Sequence, residues 1–118
     1  MTYTMRIEFK SPGGNEIRRM KSWKYAALRD EVKKLALAYF MEHGRPVVRG
    51  KAHITFSRSY ARVEQDYDNL VFTGKPWFDV LKTLGVIVDD SPKWVDREYK
   101  QEQSKDHFVE IEIKRAPE

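Results

Sequence analysis

The sequence predicts an α/β (α+β) fold: a small mixed β-sheet of about four strands flanked by two main helices. Two patterns predict it, because apolar and polar residues alternate strictly in some segments and apolar residues recur every three or four positions in others. The length of 118 residues fits one domain over residues 1–118. With 41% hydrophobic and 34% charged residues, the composition is typical of a globular chain rather than a disordered one.

Alternation predicts the strands. Within residues 2–10, Met5, Ile7 and Phe9 share one face and polar residues take the other. The same pattern predicts three further strands, near residues 52–58, 94–101 and 108–114. Each such strand would bury one face and expose the other.

The first helix is predicted over about residues 23–43, where apolar residues form a single stripe. Ser22 is expected to be its N-cap. Before it, residues 11–15 read Ser-Pro-Gly-Gly-Asn, which predicts a loop after the first strand.

The second helix is predicted to begin near Asp68 or Asn69 and to run to Leu84. Gly85 is expected to end it, because glycine readily takes the backbone conformation that follows a helix. Pro76 lies inside this segment and is expected to kink it, since proline lacks a backbone donor.

Charge is distributed unevenly along the chain, whose formal net charge is +4. Residues 1–50 contain 11 Lys and Arg against 5 Asp and Glu, a net charge of +6; residues 51–118 contain 11 against 13, a net charge of −2. This pattern suggests a polyanionic partner and a separate carboxylate site, although a basic helix exposed to solvent would explain the first half equally well. No apolar run approaches the ~20 residues of a membrane span and no signal segment is present, so we expect a cytoplasmic protein without a membrane partner.

Four aspartates flank the second helix. Asp66 and Asp68 lie at its start, and Asp89 and Asp90 lie just past its end. An antiparallel return of the chain could bring both pairs to one edge of the sheet, where they would suit a hard cation such as Mg²⁺. Such an ion can activate water for attack at phosphorus. The alternative is that these aspartates only cap the helix and form a turn.

Lys75 follows Asp68 by seven residues, nearly two helical turns, so both are predicted on one face, ~10 Å apart along the axis. Its side chain could then reach a phosphate held near the carboxylates; the alternative is an ordinary solvated lysine. No histidine pair has metal-ligand spacing, and we expect no organic cofactor. The three tryptophans are predicted to be core or interface residues.

The acidic segment resembles the RusA family of Holliday junction resolvases. The residues that carry the resemblance are Asp66-Tyr67-Asp68-Asn69-Leu70, Lys75-Pro76, Asp79-x-Leu81, Gly85-Val86-Ile87 and Asp89-Asp90-Ser91. They lie within residues 66–91, about 26 residues, and the combination is fairly specific whereas each piece alone is weak. This sequence differs from the founding member of the family in its longer spacing between Asp68 and Lys75.

The resemblance implies a RusA-like homodimer, often phage-borne, in the cytoplasm of a bacterial or phage-infected cell. It implies a Mg²⁺-dependent endodeoxyribonuclease (Mn²⁺ substituting) that resolves four-way or other branched DNA by paired nicks in recombination and repair. By correspondence with the family motif, the catalytic residues are Asp66, Asp68, Asp90 and Lys75, and the metal ligands are Asp66, Asp68, Asp90 and Asp89.

The DNA contacts are expected from six basic residues: Arg18, Arg19, Lys21, Lys24, Arg58 and Arg62. Trp77, Phe78 and Trp94 are offered as material for the dimer contact. Two alternatives stay open: a catalytically inactive protein that binds branched DNA, and an interaction domain that does not bind nucleic acid.

Overall fold

The computed structural model describes residues 2–117, which form one four-stranded mixed sheet and three helices. In chain order the elements are β1 (Thr2–Glu8), α1 (Gly14–Arg18), α2 (Ser22–His43), β2 (Ala52–Tyr60), α3 (Tyr67–Thr83), β3 (Val95–Gln103) and β4 (Phe108–Arg115). The predicted fold class, a small mixed sheet of four strands with two main helices, is confirmed. The short helix α1 is additional, because residues 11–15 were expected to form only a loop.

The sheet has the strand order β1-β4-β2-β3. β4 runs antiparallel to both of its neighbours, whereas β2 and β3 are parallel. A parallel pair needs a long crossover connection, and α3 supplies it. The chain therefore does not return as an antiparallel strand beside β2, and the two ends of α3 are separated by ~25 Å.

One face of the sheet is buried beneath the helices. Its alternating residues include Met5, Ile54 and Ile111, all at most 1% exposed. α2 and α3 pack against each other and cover this face. The opposite face is more polar, and there the His53 imidazole lies 3.4 Å from the Glu98 carboxylate.

The ends of the helices follow local rules. Asp66 is the N-cap of α3, since its carboxylate accepts a hydrogen bond from the Asn69 backbone N–H at 2.9 Å. The helix thus begins one to two residues earlier than predicted. At the other end Gly85 has a φ of 74° and donates to the Lys82 carbonyl, in a Schellman motif. The predicted role of Gly85 in ending the helix is confirmed.

Helix α2 begins at Ser22, and Lys21 occupies the capping position without a side-chain cap. The prediction that Ser22 is the N-cap is therefore wrong by one residue. Pro76 is accommodated within α3. Among the helices of residues 2–117, none is both long and apolar enough to cross a lipid bilayer.

The large aromatic residues divide into core and surface. Trp77 and Phe78 are 1% and 2% exposed and belong to the core, so neither side chain is available for a contact between subunits. Trp94 is partly buried against the core. Trp23, in contrast, is 71% exposed, which contradicts a core position.

Candidate functional site

The segment that leads into α3 is held at a fixed position by Gln65. Its backbone N–H donates to the side chain of Gln101 on β3 at 2.9 Å, and its carbonyl accepts from the same side chain at 2.8 Å. The Gln65 side-chain oxygen accepts from the Gly14 backbone N–H at 2.7 Å. These bonds tie the residue before Asp66 to the sheet on one side and to α1 on the other.

Helix α1 packs directly on the first turn of α3. A Cβ atom on Gly14 would lie 1.9 Å from the Asn69 carbonyl oxygen, so only glycine allows this approach. The approach brings Arg18 to α3, where its guanidinium donates to the Asn69 side-chain oxygen at 3.0 Å. The guanidinium carbon also lies 4.7 Å from the centre of the Phe72 ring. A basic side chain is thereby fixed beside the acidic start of the helix.

Asp66 and Asp68 have different environments. Both oxygens of Asp66 face Asn69, one accepting from its backbone N–H at 2.9 Å and the other from its side-chain amide at 3.4 Å. Asp68 is exposed, and residues 2–117 provide no hydrogen bond or ion pair to its carboxylate. It lines a shallow hollow, here called the Asp68 hollow, together with Arg18, Val71 and Phe72.

A second hollow lies beside the first along α3. This Lys75 hollow, of about 360 Å³, is lined by Val71, Phe72, Lys75, Phe78, Asp79, Asp90 and Arg97. It shares Val71 and Phe72 with the Asp68 hollow. Asp68, Lys75 and Asp90 therefore line one continuous stretch of surface, and the prediction that Asp68 and Lys75 share a helix face is confirmed.

Helix α2 fixes the surroundings of Lys75. The Lys75 ammonium lies 5.1 Å from the centre of the Tyr25 ring, within the range of a cation–π contact. The Tyr25 hydroxyl donates to Asp79 at 2.5 Å. Burial, and then this hydrogen bond, raise the pKa of Tyr25, so the hydroxyl keeps its proton and remains a donor. Asp79 is thus occupied, and Lys75 has no ion-pair partner within residues 2–117.

Asp89 and Asp90 are adjacent in sequence but have different partners. The Asp89 carboxylate lies 3.0 Å from the Lys82 ammonium, in the last turn of α3. Lys82, and then the backbone N–H of Asp90, lower the pKa of Asp89. Asp90 instead lines the Lys75 hollow, and its carbonyl oxygen accepts a hydrogen bond from Arg97. Arg97 in turn lies 4.5 Å from the centre of the Phe78 ring.

The four aspartates do not form one compact cluster. Within residues 2–117, no three side chains of histidine, aspartate or glutamate are grouped closely enough to hold a metal ion. Asp66 is occupied by helix capping and Asp89 by Lys82, which leaves Asp68 and Asp90 on the shared surface. Carboxylate oxygens suit Mg²⁺, which is usually held by one or two carboxylates with water and substrate phosphate as its remaining ligands. The donors fit an ion of that kind rather than one enclosed by protein ligands.

The remaining predicted basic residues lie in two regions. Arg19, Lys21 and Lys24 are exposed where α1 gives way to α2. Arg62 is exposed in the connection after β2. Arg58 is half-buried, its Nε has no hydrogen-bond partner within residues 2–117, and burial lowers its pKa. An unsatisfied guanidinium nitrogen of this kind is suited to an anionic ligand.

Sequence reasoning missed two parts of the surface. Arg97 lies in the Lys75 hollow, although its position in an alternating strand gave no sign of it. The exposed side chain of Trp23 was assigned to the core or an interface. Comparison of the chain with models of known protein families gives no match, and a search among curated proteins also gives none.

Proposed function

We propose that this protein is a Mg²⁺-dependent, structure-selective endodeoxyribonuclease of the RusA type, with Mn²⁺ able to substitute. Its proposed role is to resolve Holliday junctions by paired symmetric nicks during DNA recombination and repair. One observation carries the proposal: Asp68, Lys75 and Asp90, all within the RusA-like motif, line adjoining hollows along α3. Carboxylates and a lysine on one surface are what hydrolysis of a phosphodiester requires.

The charges on this surface divide into two chemical groups. Asp68 and Asp90 are oxygen donors that would hold the metal ion. When bound, Mg²⁺ supplies charge neutralisation and the activation of water for phosphodiester hydrolysis. Lys75 and Arg97 provide positive charge at the same hollow, where they would bind and orient a backbone phosphate.

Lys75 is assigned the stabilisation of negative charge on the reacting phosphoryl group. Its ammonium rests near the Tyr25 ring and is not neutralised by Asp79, because the Tyr25 hydroxyl already donates to Asp79. A cation positioned in advance of the reaction stabilises developing charge without having to reorganise.

Asp66 and Asp89 are proposed to support the site. Asp66 caps α3 through Asn69 and thereby fixes the turn that presents Asp68. Asp89 pairs with Lys82 and fixes the turn that presents Asp90. Either carboxylate could join the metal ion only by releasing its present partner.

DNA would be held mainly through its phosphates. The basic residues Arg18, Arg19, Lys21 and Lys24 provide positive charge on one side of the site, and such contacts give affinity without reading sequence. The favoured partner is therefore branched DNA recognised by its shape. A homodimer would present two copies of the site to the two strands of a junction, in keeping with its two-fold symmetry.

Cleavage of a synthetic four-way junction tests the activity. We expect symmetric, ligatable nicks with Mg²⁺ or Mn²⁺ and none with EDTA. Binding without cutting at any divalent ion concentration would instead favour an inactive junction-binding protein. Absence of any salt-dependent DNA binding would favour an interaction domain that does not bind nucleic acid.

Sedimentation tests the dimer. We expect twice the mass of one chain at micromolar concentration. A monomer both free and on a junction would contradict paired nicking. Because Trp77 and Phe78 are buried within one chain, the contact would have to use exposed apolar residues such as Leu37, Met41 and Val47.

A further inference from the structure

Trp23 is exposed in a way that the fold does not explain. It lies in the first turn of α2 with 71% of its surface accessible, whereas Trp77 is 1% exposed. The core is closed on this side of α2 by other residues, including Leu28 and Val32. A large aromatic ring left in water forgoes the stabilisation that burial would give it, so a bound partner offers a reason for its presence.

The ring stands in a basic setting. It lines an open concave surface, here called the Trp23 hollow, together with Asn15, Glu16, Arg19, Met20, Lys21 and Lys24. No salt bridge to Arg19, Lys21 or Lys24 occurs within residues 2–117. The setting therefore combines a flat apolar face with three cations that are available to an anion.

The Trp23 hollow continues from the proposed nuclease site through α1. Arg18 lines the Asp68 hollow, and the next residue, Arg19, lines the Trp23 hollow. Five residues separate Arg18 from Trp23, so their Cα atoms are at most about 18 Å apart. One nucleic-acid strand could therefore contact both hollows.

We propose that Trp23 is a stacking platform for an unpaired base of single-stranded DNA, and that Arg19, Lys21 and Lys24 hold the phosphates beside that base. A basic groove with an aromatic side chain is the usual construction of a single-strand binding surface, because every base offers a face for stacking. In a double helix the bases are already stacked and cannot cover the ring. The inference rests on the proposed function, since it extends the DNA-binding surface of the same site toward an opened branch point.

The test compares affinities for two fluorescent probes: a short single-stranded oligothymidylate and a DNA duplex of the same length. The variants are Trp23→Ala, Trp23→Phe, and Met41→Ala as a matched control. Met41 is an exposed apolar residue, 88% accessible, on the same helix. None of the three changes removes a buried contact, so all three variants should fold, which circular dichroism checks.

We expect Trp23→Ala to weaken oligothymidylate binding by about 5- to 150-fold, the range that corresponds to stacking one base on an aromatic ring. Trp23→Phe should recover most of the loss, and Met41→Ala should bind as the wild type does. Duplex affinity should change less than about twofold in all three variants. Oligothymidylate should also quench the tryptophan emission of the wild type more than that of Trp23→Phe.

Equal oligothymidylate affinity for the wild type and Trp23→Ala would overturn the stacking role. A loss of duplex affinity as large as the loss for the single strand would overturn it too, since no unpaired base is then being recognised. Dissociation of a dimer by Trp23→Ala would show that the ring is a subunit contact instead. These outcomes leave the nuclease proposal standing if the wild type cuts junctions, whereas failure to bind or cut any DNA would remove both proposals.

Discussion

Replacing Gly14 by alanine should separate α1 from α3 and destabilise the protein. The added Cβ would lie 1.9 Å from the Asn69 carbonyl oxygen and 2.5 Å from the Asn69 Cα. Carbon atoms do not approach backbone atoms closer than 3.0 Å, so the helices must move apart by about 1 Å. Overpacking of this kind costs about 1–3 kcal/mol, and weakening the Gly14 hydrogen bond to Gln65 adds about 1 kcal/mol.

The expected loss in the free energy of unfolding is therefore about 2–4 kcal/mol. For a domain of this size that corresponds to a decrease in Tm of about 8–16 °C. Urea denaturation followed by circular dichroism measures the first quantity, and thermal denaturation measures the second. Cutting should fall as well, because Arg18 reaches the Asp68 hollow only while α1 is docked.

Gly13→Ala is the matched control. A Cβ on Gly13 would meet its nearest atom at 4.0 Å, an ordinary contact, and its φ of −67° suits alanine. We expect its stability to stay within about 0.5 kcal/mol of the wild type. If Gly14→Ala unfolds at the same urea concentration as Gly13→Ala, the close packing of α1 on α3 is refuted.

Three further predictions concern the charged residues. Lys75→Ala should slow junction cutting about 10²- to 10³-fold with little change in metal affinity, and normal turnover would remove Lys75 from the site. Arg19→Glu should weaken binding to all junction sequences alike and make the slope of log K against log salt shallower by about 0.9 per lost phosphate contact; a sequence-selective loss would contradict this. Lys82→Met should raise the pKa of Asp89, as followed by NMR titration. Because Lys82 lowers that pKa, the pair stabilises the native state above the unfolded pKa of Asp89 and less as pH falls through the folded pKa, so an unchanged titration would rule the pair out.

The sequence predicted the large elements because each carries enough residues to show a period. The 22 residues of α2 display a complete apolar stripe, and β1 alternates over its whole length. Helix α1 has only five residues, too few for a period, and its Gly13-Gly14 pair is typical of a loop. It is helical where it packs against Asn69, a contact 55 residues away in the chain that no local pattern reveals.

The candidate site was predictable only in part. The spacing of Asp68 and Lys75 was sufficient to place them on one helix face, because seven residues make nearly two turns. The sequence could not show that Asp89 pairs with Lys82 while Asp90 faces Lys75, since that depends on how the turn after α3 folds back. The parallel direction of β3 also depends on tertiary packing rather than on its own alternation.

The most direct test of the proposed function is junction cutting by Asp68→Asn and Asp90→Asn. The amide keeps the shape of the carboxylate and removes its charge, and neither carboxylate makes a hydrogen bond or ion pair within residues 2–117 that folding would lose. Asp106→Asn is the matched control, an exposed aspartate in the turn between β3 and β4. We predict that both site variants bind a four-way junction as the wild type does but cut it more than about 100-fold more slowly with Mg²⁺, while the control cuts normally. Cutting at the wild-type rate by either site variant would contradict the assignment of Asp68 and Asp90 to the metal.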